Sequence, residues 1–413
     1  MNTAIIGGGA AGLFLAINLK ELIIKSGRNA KTMQVTVFEK NDKILSKLEI
    51  SGGGRCNCTN TFEFANKNGS FFDDLAQVYP RGHRSVKKMF HIFSPKDAFK
   101  WFETHGVKLK IEDNGRVFPQ SDDSHTIINV FKHYAALYDI DIRLNDSINS
   151  LSRVEHFDFI CVACGGLLHN NLLSLLKVED SIIVKPIPSL FAFNVEDSGL
   201  RALSGTTLNG VTLMFPKTKF KVSDSVLITH KGLSGPAVLR LSSYAAVFLN
   251  EANYNTPLLV NWIGRNNEDA TATVNHCKIL HANKMIMNIN PFALPQRFWE
   301  YILVRVVPNR LNIRYKDLTE KEISRIVDAV CNDKYLIKSR SNNKEEFVTC
   351  GGVDLSCIDI NTMRLKADKR LFFVGEALNI DGITGGYNFQ VAWTTAFIAA
   401  QEICNIYLSN PVQ

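Results

Sequence analysis

The chain has 413 residues, 46% apolar and 21% charged, with a formal net charge of +7 and nine cysteines. This balance excludes a disordered chain and a small disulfide scaffold, and no apolar run approaches the length of a membrane span. An odd number of dispersed cysteines fits reduced thiols, and residue 4 already belongs to a core strand, so a cytoplasmic protein without a signal peptide is expected.

Ala4–Ile6 reads as an apolar strand running into G-x-G-x-x-G at Gly7, Gly9 and Gly12. A helix over Ala10–Lys25 follows, then a strand over Gln34–Phe38 that ends at Glu39. This is the dinucleotide-binding pattern. Gly7 allows the tight turn, Gly9 lets backbone approach a pyrophosphate, Gly12 lets helix and sheet pack closely, and the acid meets the ribose. The gap to Glu39 is longer than usual, and Ser26–Met33 reads as a loop insertion that absorbs it. Residues 41–70 read as an ordered loop centred on SGGGRCNCTN. Helices follow around 85–105, with Ser94 and Pro95 as N-cap and first residue of the second. Asn114-Gly115 predicts a hairpin, Ser124–Tyr138 a helix, and Phe157–Ala163 a strand ending at Gly165-Gly166.

Short alternating segments from about residue 186 predict a β-barrel or sandwich. Residues 271–330 turn helical, with Thr319 and Glu322 as a capping box, and 335–349 read as returning strands. Arg370–Val374 is a buried parallel-type strand, followed by a glycine-rich turn and a final helix through about Tyr407. The expected organisation is α/β. A two-part, Rossmann-like nucleotide-binding domain (1–185 and 350–413) is interrupted by a barrel (186–270, returning at 331–349) and a helical insert (271–330).

The stretch RLFFVGEALNIDGITGGYNFQVAWTT holds Glu376, Asp381, Gly385, Gly386, Tyr387 and Asn388 between a strand and a helix. An acid there suits a ribityl hydroxyl or a pyrophosphate. Glycines at a helix start bare N–H groups toward a flavin carbonyl. Cys56-x-Cys58 leaves two readings, thiol chemistry or a small side chain beside the flavin. The spacing is too tight for an unstrained disulfide. His230, in THKGLSGPA, is the candidate general acid. No metal spacing and no second dinucleotide motif are visible. The run Arg81–Lys110 is strongly basic. It reads as an anion- or nucleic-acid-binding patch or as a solvated helix face, and without an aromatic RNA signature the second is expected. Nucleic acid and membrane are therefore not expected partners, and the oligomeric state is left open.

Together, GGGAAG, SGGGRCNCTN, NGRVFPQSDDS, THKGLSGPA, GGVDLSCIDINTM and VGEALNIDGITGGYNFQVAWTT resemble the bacterial FAD-dependent oxidoreductase family of the BaiN/YhiN type, which includes aminoacetone-oxidase-like flavoproteins. The resemblance runs to about residue 400. It implies bound FAD, with Gly7, Gly9, Ala10, Ala11 and Gly12 at the pyrophosphate and Glu39 and Lys40 at the ribose. It further implies Lys47, Gly53, Gly54, Arg55, Cys56, Asn57 and Gly165 along the cofactor, and Gly375, Glu376, Asp381, Gly385, Gly386, Tyr387 and Asn388 at the ribityl chain and ring. The segment Cys164–Asp180 departs from the family's glycine-rich loop.

The expected activity is an FAD-dependent oxidoreductase on a small organic substrate, with NAD(P)H as transient donor. An oxidase acting on a small amine is the alternative, and a flavin-bound RNA-binding or regulatory protein is the rival of another class. The barrel and helical insert are expected to close over the flavin, with His230 facing it.

Overall fold

The five residues Asn2–Ile6 are buried from Thr3 onward and form the central strand β1 of a seven-stranded sheet. The computed structural model describes residues 1–62, 75–112, 114–168, 171–340 and 348–410. The chain forms two units, Met1–Pro188 with Val348–Gln413, and Ser189–Phe347.

The first unit runs β1, α1 (Ala10–Lys25), β2 (Gln34–Phe38), α2 (Ser46–Gly54), β3 (Thr59–Asn60), α3 (Leu75–Val78), α4 (His83–Met89) and α5 (Pro95–Thr104). It continues through β4 (Leu109–Ile111), β5 (Arg116–Pro119), α6 (Ser124–Leu137), β6 (Asp141–Arg143), β7 (Phe159–Val162), α7 (Leu172–Leu175) and β8 (Ile183–Ser189). The second unit holds β9 (Phe193–Val195), α8 (Ser198–Arg201), β10 (Thr207–Met214), β11 (Lys221–Thr229), β12 (Gly232–Ser234), α9 (Pro236–Tyr244) and α10 (Ala246–Glu251). It ends with β13 (Thr256–Asn261), α11 (Asn267–Leu280), α12 (Gln296–Val306), α13 (Glu320–Cys331) and β14 (Asp333–Arg340). The chain then returns to the first unit with β15 (Val348–Val353), β16 (Ile358–Asp359), β17 (Arg364–Leu365), β18 (Leu371–Phe373) and α14 (Tyr387–Ser409).

The large sheet has the order β16-β17-β18-β7-β1-β2-β6. Strands β18, β7, β1, β2 and β6 are parallel, with β7 pairing Ile160 to Leu371 and Ala4. A strand from residues 371–373 therefore lies two places from the N-terminal strand, and one domain is closed from both chain ends. Parallel pairing needs crossovers on the faces, which is why these strands read as unbroken apolar runs. Helices α1 and α14 pack against each other, and nearly every α1 residue from Ala11 to Ile23 is buried. That burial explains why α1 shows no polar stripe.

The insertion at 26–33 is a short 3₁₀ turn, clipped by buried Lys20, whose Nζ donates to Ala30 O at 2.9 Å and Met33 O at 2.7 Å. Within the loop expected over 41–70, Ser46–Gly54 is helical with a kink at Ser51–Gly53, because Leu48 is buried and anchors its first turn. The part from 63 on lies outside the described residues.

In the second unit, β10-β11-β12-β9-β14-β13 closes into a six-stranded barrel. Segments 219–222 and 225–229, read separately in the sequence, are one strand, β11. The glycine loop expected after His230 is β12 followed by helix α9, started by Pro236. Short strands carrying glycine are masked in sequence because barrel closure, not propensity, selects them.

Candidate functional site

The first turn of α1 begins at Gly9, which is extended (φ −84°, ψ −168°) and supplies no side-chain cap. Its unpaired N–H groups and the helix dipole form an anion site. A Cβ on Gly9 would meet nothing within 4 Å, whereas one on Gly12 would stand 2.0 Å from Gly7 O. The two glycines thus do different work, one leaving space for a ligand and the other letting α1 lie on β1. Glu39, 8% exposed, accepts from Gly8 N at 2.8 Å through Oε2 and from Asn41 N and Nδ2 through Oε1. Oε2 keeps acceptor capacity for a hydroxyl. Lys40 is exposed beside it.

The second cradle is made by segments more than 300 residues apart. Asn60 Nδ2 donates to Gly385 O at 3.0 Å, Thr59 Oγ1 to Gln390 Oε1 at 2.5 Å and Trp393 Nε1 to Cys58 O at 2.8 Å. With its amide oriented to satisfy its neighbours, Asn57 accepts from Gly386 N at 3.0 Å. Gly386 is left-handed (φ 89°), and a Cβ there would lie 2.4 Å from Thr59 O, so only glycine fits. Helix α14 starts at this glycine with no side-chain cap. Asn388 shapes the turn by bonding both amide atoms to Gly382. A Cβ on Gly53 or Gly54 would meet nothing within 4 Å. Lys47 Nζ pairs with Glu376 Oε2 at 2.8 Å, while Glu376 Oε1 accepts from Thr349 N. Gly165 lies beside that pair, and Gly375 is buried behind it.

Three of the expected cofactor residues have side chains that are buried or already paired within the protein. Asp381 is 0% exposed and doubly bonded to Arg81, so its carboxylate ties α4's entry to the loop before Gly385. Cys56 is also 0% exposed, and burial pushes its thiol up to about 12. Arg55 turns onto Phe118, 4.0 Å from the ring centroid, and pairs with Glu112 at 2.8 Å. The cysteine environment makes a prediction: native protein treated with iodoacetamide at pH 8 is labelled at partly exposed Cys357 and not at Cys56 or Cys58. Rapid labelling of Cys56, read by peptide mass spectrometry, would restore thiol chemistry.

His230 is exposed in the turn between β11 and β12, in the second unit. Sequence reasoning passed over His83 and Asn379. Each has a buried ring or amide atom, Nδ1 and Oδ1, with no partner among the described residues. A lone histidine at a helix start carries no signal in sequence; the bridge Arg81↔Asp381 is what brings α4 against residues 379–381.

Two uncapped helix starts, open glycines beside each and a ribose-type carboxylate match an extended dinucleotide with a ring at one end. The model of the HI0933-like protein Rossmann domain matches residues 1–402. The chain belongs to the HI0933-like family. As a member it is an FAD-dependent oxidoreductase, and the residues above are a fitting donor set for that cofactor. A relative from Haemophilus influenzae, 27% identical over 97% of both chains, is named ribosomal RNA dihydrouridine synthase. One from Escherichia coli bears the same name at 25% identity over 97% of both. One from Clostridium scindens, 24% identical over 96% of this chain and 97% of its own, is named 3-dehydro-bile acid delta(4,6)-reductase. No helix among the described residues is long and apolar enough to cross a membrane.

Proposed function

We propose that this chain saturates a carbon–carbon double bond conjugated to a carbonyl, with NAD(P)H as donor and the uracil ring of an RNA as first substrate. One observation carries the reading. The names of relatives spanning the same full length, although they concern a nucleotide and a steroid, both denote loss of such a double bond. That shared chemistry favours reduction over amine oxidation. A small conjugated ketone is the second substrate reading, favoured by the bile acid name.

Bound FAD supplies the two-electron hydride chemistry. The chain's own residues do the rest. N–H groups at the start of α1 hold diphosphate charge, and Glu39 and Glu376 accept from hydroxyls. The uncapped start of α14 offers positive potential to an electron-rich ring carbonyl. In the net reaction one alkene carbon gains hydride and the other a proton, while NAD(P)H becomes NAD(P)⁺. His230, exposed in the turn after β11, is the proposed proton donor.

The test is anaerobic mixing of holoprotein with NADH or NADPH, followed by uridine-containing RNA. Flavin bleaching by a nicotinamide and re-oxidation by the RNA, with dihydrouridine found by mass spectrometry, is expected. No bleaching by either nucleotide removes the reductase reading. His230→Ala is expected to keep FAD and lower turnover about 10²-fold or more; unchanged turnover removes His230 from the chemistry.

A further inference from the structure

The run between residues 81 and 110 folds largely into two helices, each with an exposed charged face. Helix α4 buries Val86 and Met89, and α5 buries Ala98, Trp101 and Phe102, both packing on α14. Their other faces carry exposed Arg84, Lys87 and Lys88, then Lys96 and Lys100, with Lys108 exposed just beyond. Of the acids within this run, Asp97 is committed to the N-cap, accepting from Ser94 N at 2.8 Å and Ser94 Oγ at 2.6 Å. Among the described residues Arg84, Lys88, Lys96, Lys100 and Lys108 have no salt bridge. Some cations elsewhere on the surface sit against carboxylates, as in Lys43–Glu49, Arg143–Asp141 and Arg153–Asp146, while others, such as Lys217, Lys219 and Lys221, have no salt bridge among the described residues.

The spacing sharpens the point. Arg84 and Lys88 are four residues apart, as are Lys96 and Lys100, so each helix places like charges on adjacent turns, where they repel. A solvated face built for helix stability would alternate signs. An unneutralised set of this kind is the footprint of a polyanion.

We infer that the outer face of α4 and α5 is the docking surface for folded RNA, which it holds through the phosphate backbone. RNA is chosen over an acidic protein or an anionic membrane because two full-length relatives are named for ribosomal RNA. The inference deepens the proposed function and rests on it. The face reads no sequence; it supplies affinity, and selection of the uridine is left to the flavin site.

The experiment measures fluorescence anisotropy of a fluorescein-labelled 24-nucleotide RNA hairpin with holoprotein across a salt series. Five phosphate contacts predict a slope of log K against log salt of about −3.5 to −4.5. Replacing Arg84, Lys88, Lys96 and Lys100 together by Gln is expected to bring the slope near −1 and weaken binding about 10²-fold or more at 0.1 M salt. Flavin reduction by the nicotinamide should be unchanged. Absence of hairpin binding by the wild type, or an unchanged slope in the variant, overturns the inference. Equal affinity for phosphatidylglycerol vesicles or polyglutamate overturns it too. RNA binding without dihydrouridine formation keeps this surface and removes the proposed substrate. Dihydrouridine formation at equal efficiency in the variant does the reverse.

Discussion

Gly9→Val is expected to give a folded protein that no longer retains FAD. The backbone at Gly9 is ordinary extended geometry, and a Cβ there touches nothing, so the substitution costs the fold little. The isopropyl group would fill the space before the uncapped turn of α1, where the diphosphate is proposed to sit. Affinity for FAD should fall by about 10²-fold, or ~2.8 kcal/mol at 1.4 kcal/mol per decade. Gly12→Ala is the contrasting control. Its Cβ would overlap Gly7 O at 2.0 Å, against backbone that cannot yield locally, so it should destabilise the first unit by about 3 kcal/mol. Flavin fluorescence in a titration, with circular dichroism and thermal melts on both apoproteins, separates the outcomes. A Gly9→Val protein that purifies with a full complement of FAD would show that the pyrophosphate lies elsewhere.

The second large effect is expected in the other unit. Asp333 begins β14 and is 4% exposed. It accepts from both Arg305 nitrogens at 2.9 and 2.8 Å, from Trp262 Nε1 at 2.9 Å and from Tyr335 OH at 2.6 Å. Tyr301 OH extends the network, 3.1 Å from Tyr335 OH. The cluster thus ties α12 of the helical insert to the ends of the barrel strands. Asp333→Ala leaves a guanidinium, an indole N–H and a phenol without their acceptor, a loss of about 3–5 kcal/mol. Combining it with Arg305→Met should recover part of that loss, because the uncompensated charge goes as well. Burial, then the neighbouring Asp333, also holds the Tyr335 phenol well above its ordinary value of 10.0. Stability from this neutral phenol is complete below that ordinary value and is lost as pH rises through and beyond it. Denaturant melts of the single and double variants at pH 7 and pH 10.5 test both statements. A single variant within 1 kcal/mol of wild type would mean that water replaces the carboxylate.

The sequence by itself determined the dinucleotide unit, since its signals are local. The glycine turn, Ala10–Lys25, Gln34–Phe38 and the acid at 39 need only short-range sterics and strand-to-helix patterning, and the elements form at those bounds. The N-cap at Ser94 and the capping box at Thr319 were legible for the same reason. The closed barrel was visible as a class from its alternating segments, but β12 and α9 were hidden in a glycine-rich stretch. β12 pairs with β11 in a local hairpin, but its other edge depends on Phe193–Asn194, about 40 residues away in sequence. Only the tertiary structure decided which of the expected site side chains are partly open and which are sealed. Glu376 and Asp381 read alike in one loop, yet one pairs with Lys47 at a partly exposed position while the other is sealed against Arg81. The meeting of Asn57 and Asn60 with Gly385 and Gly386 is likewise a product of the parallel sheet, which sets the chain's two ends side by side. Burial and pairing are properties of surfaces brought together by folding, and no spacing along the chain encodes them.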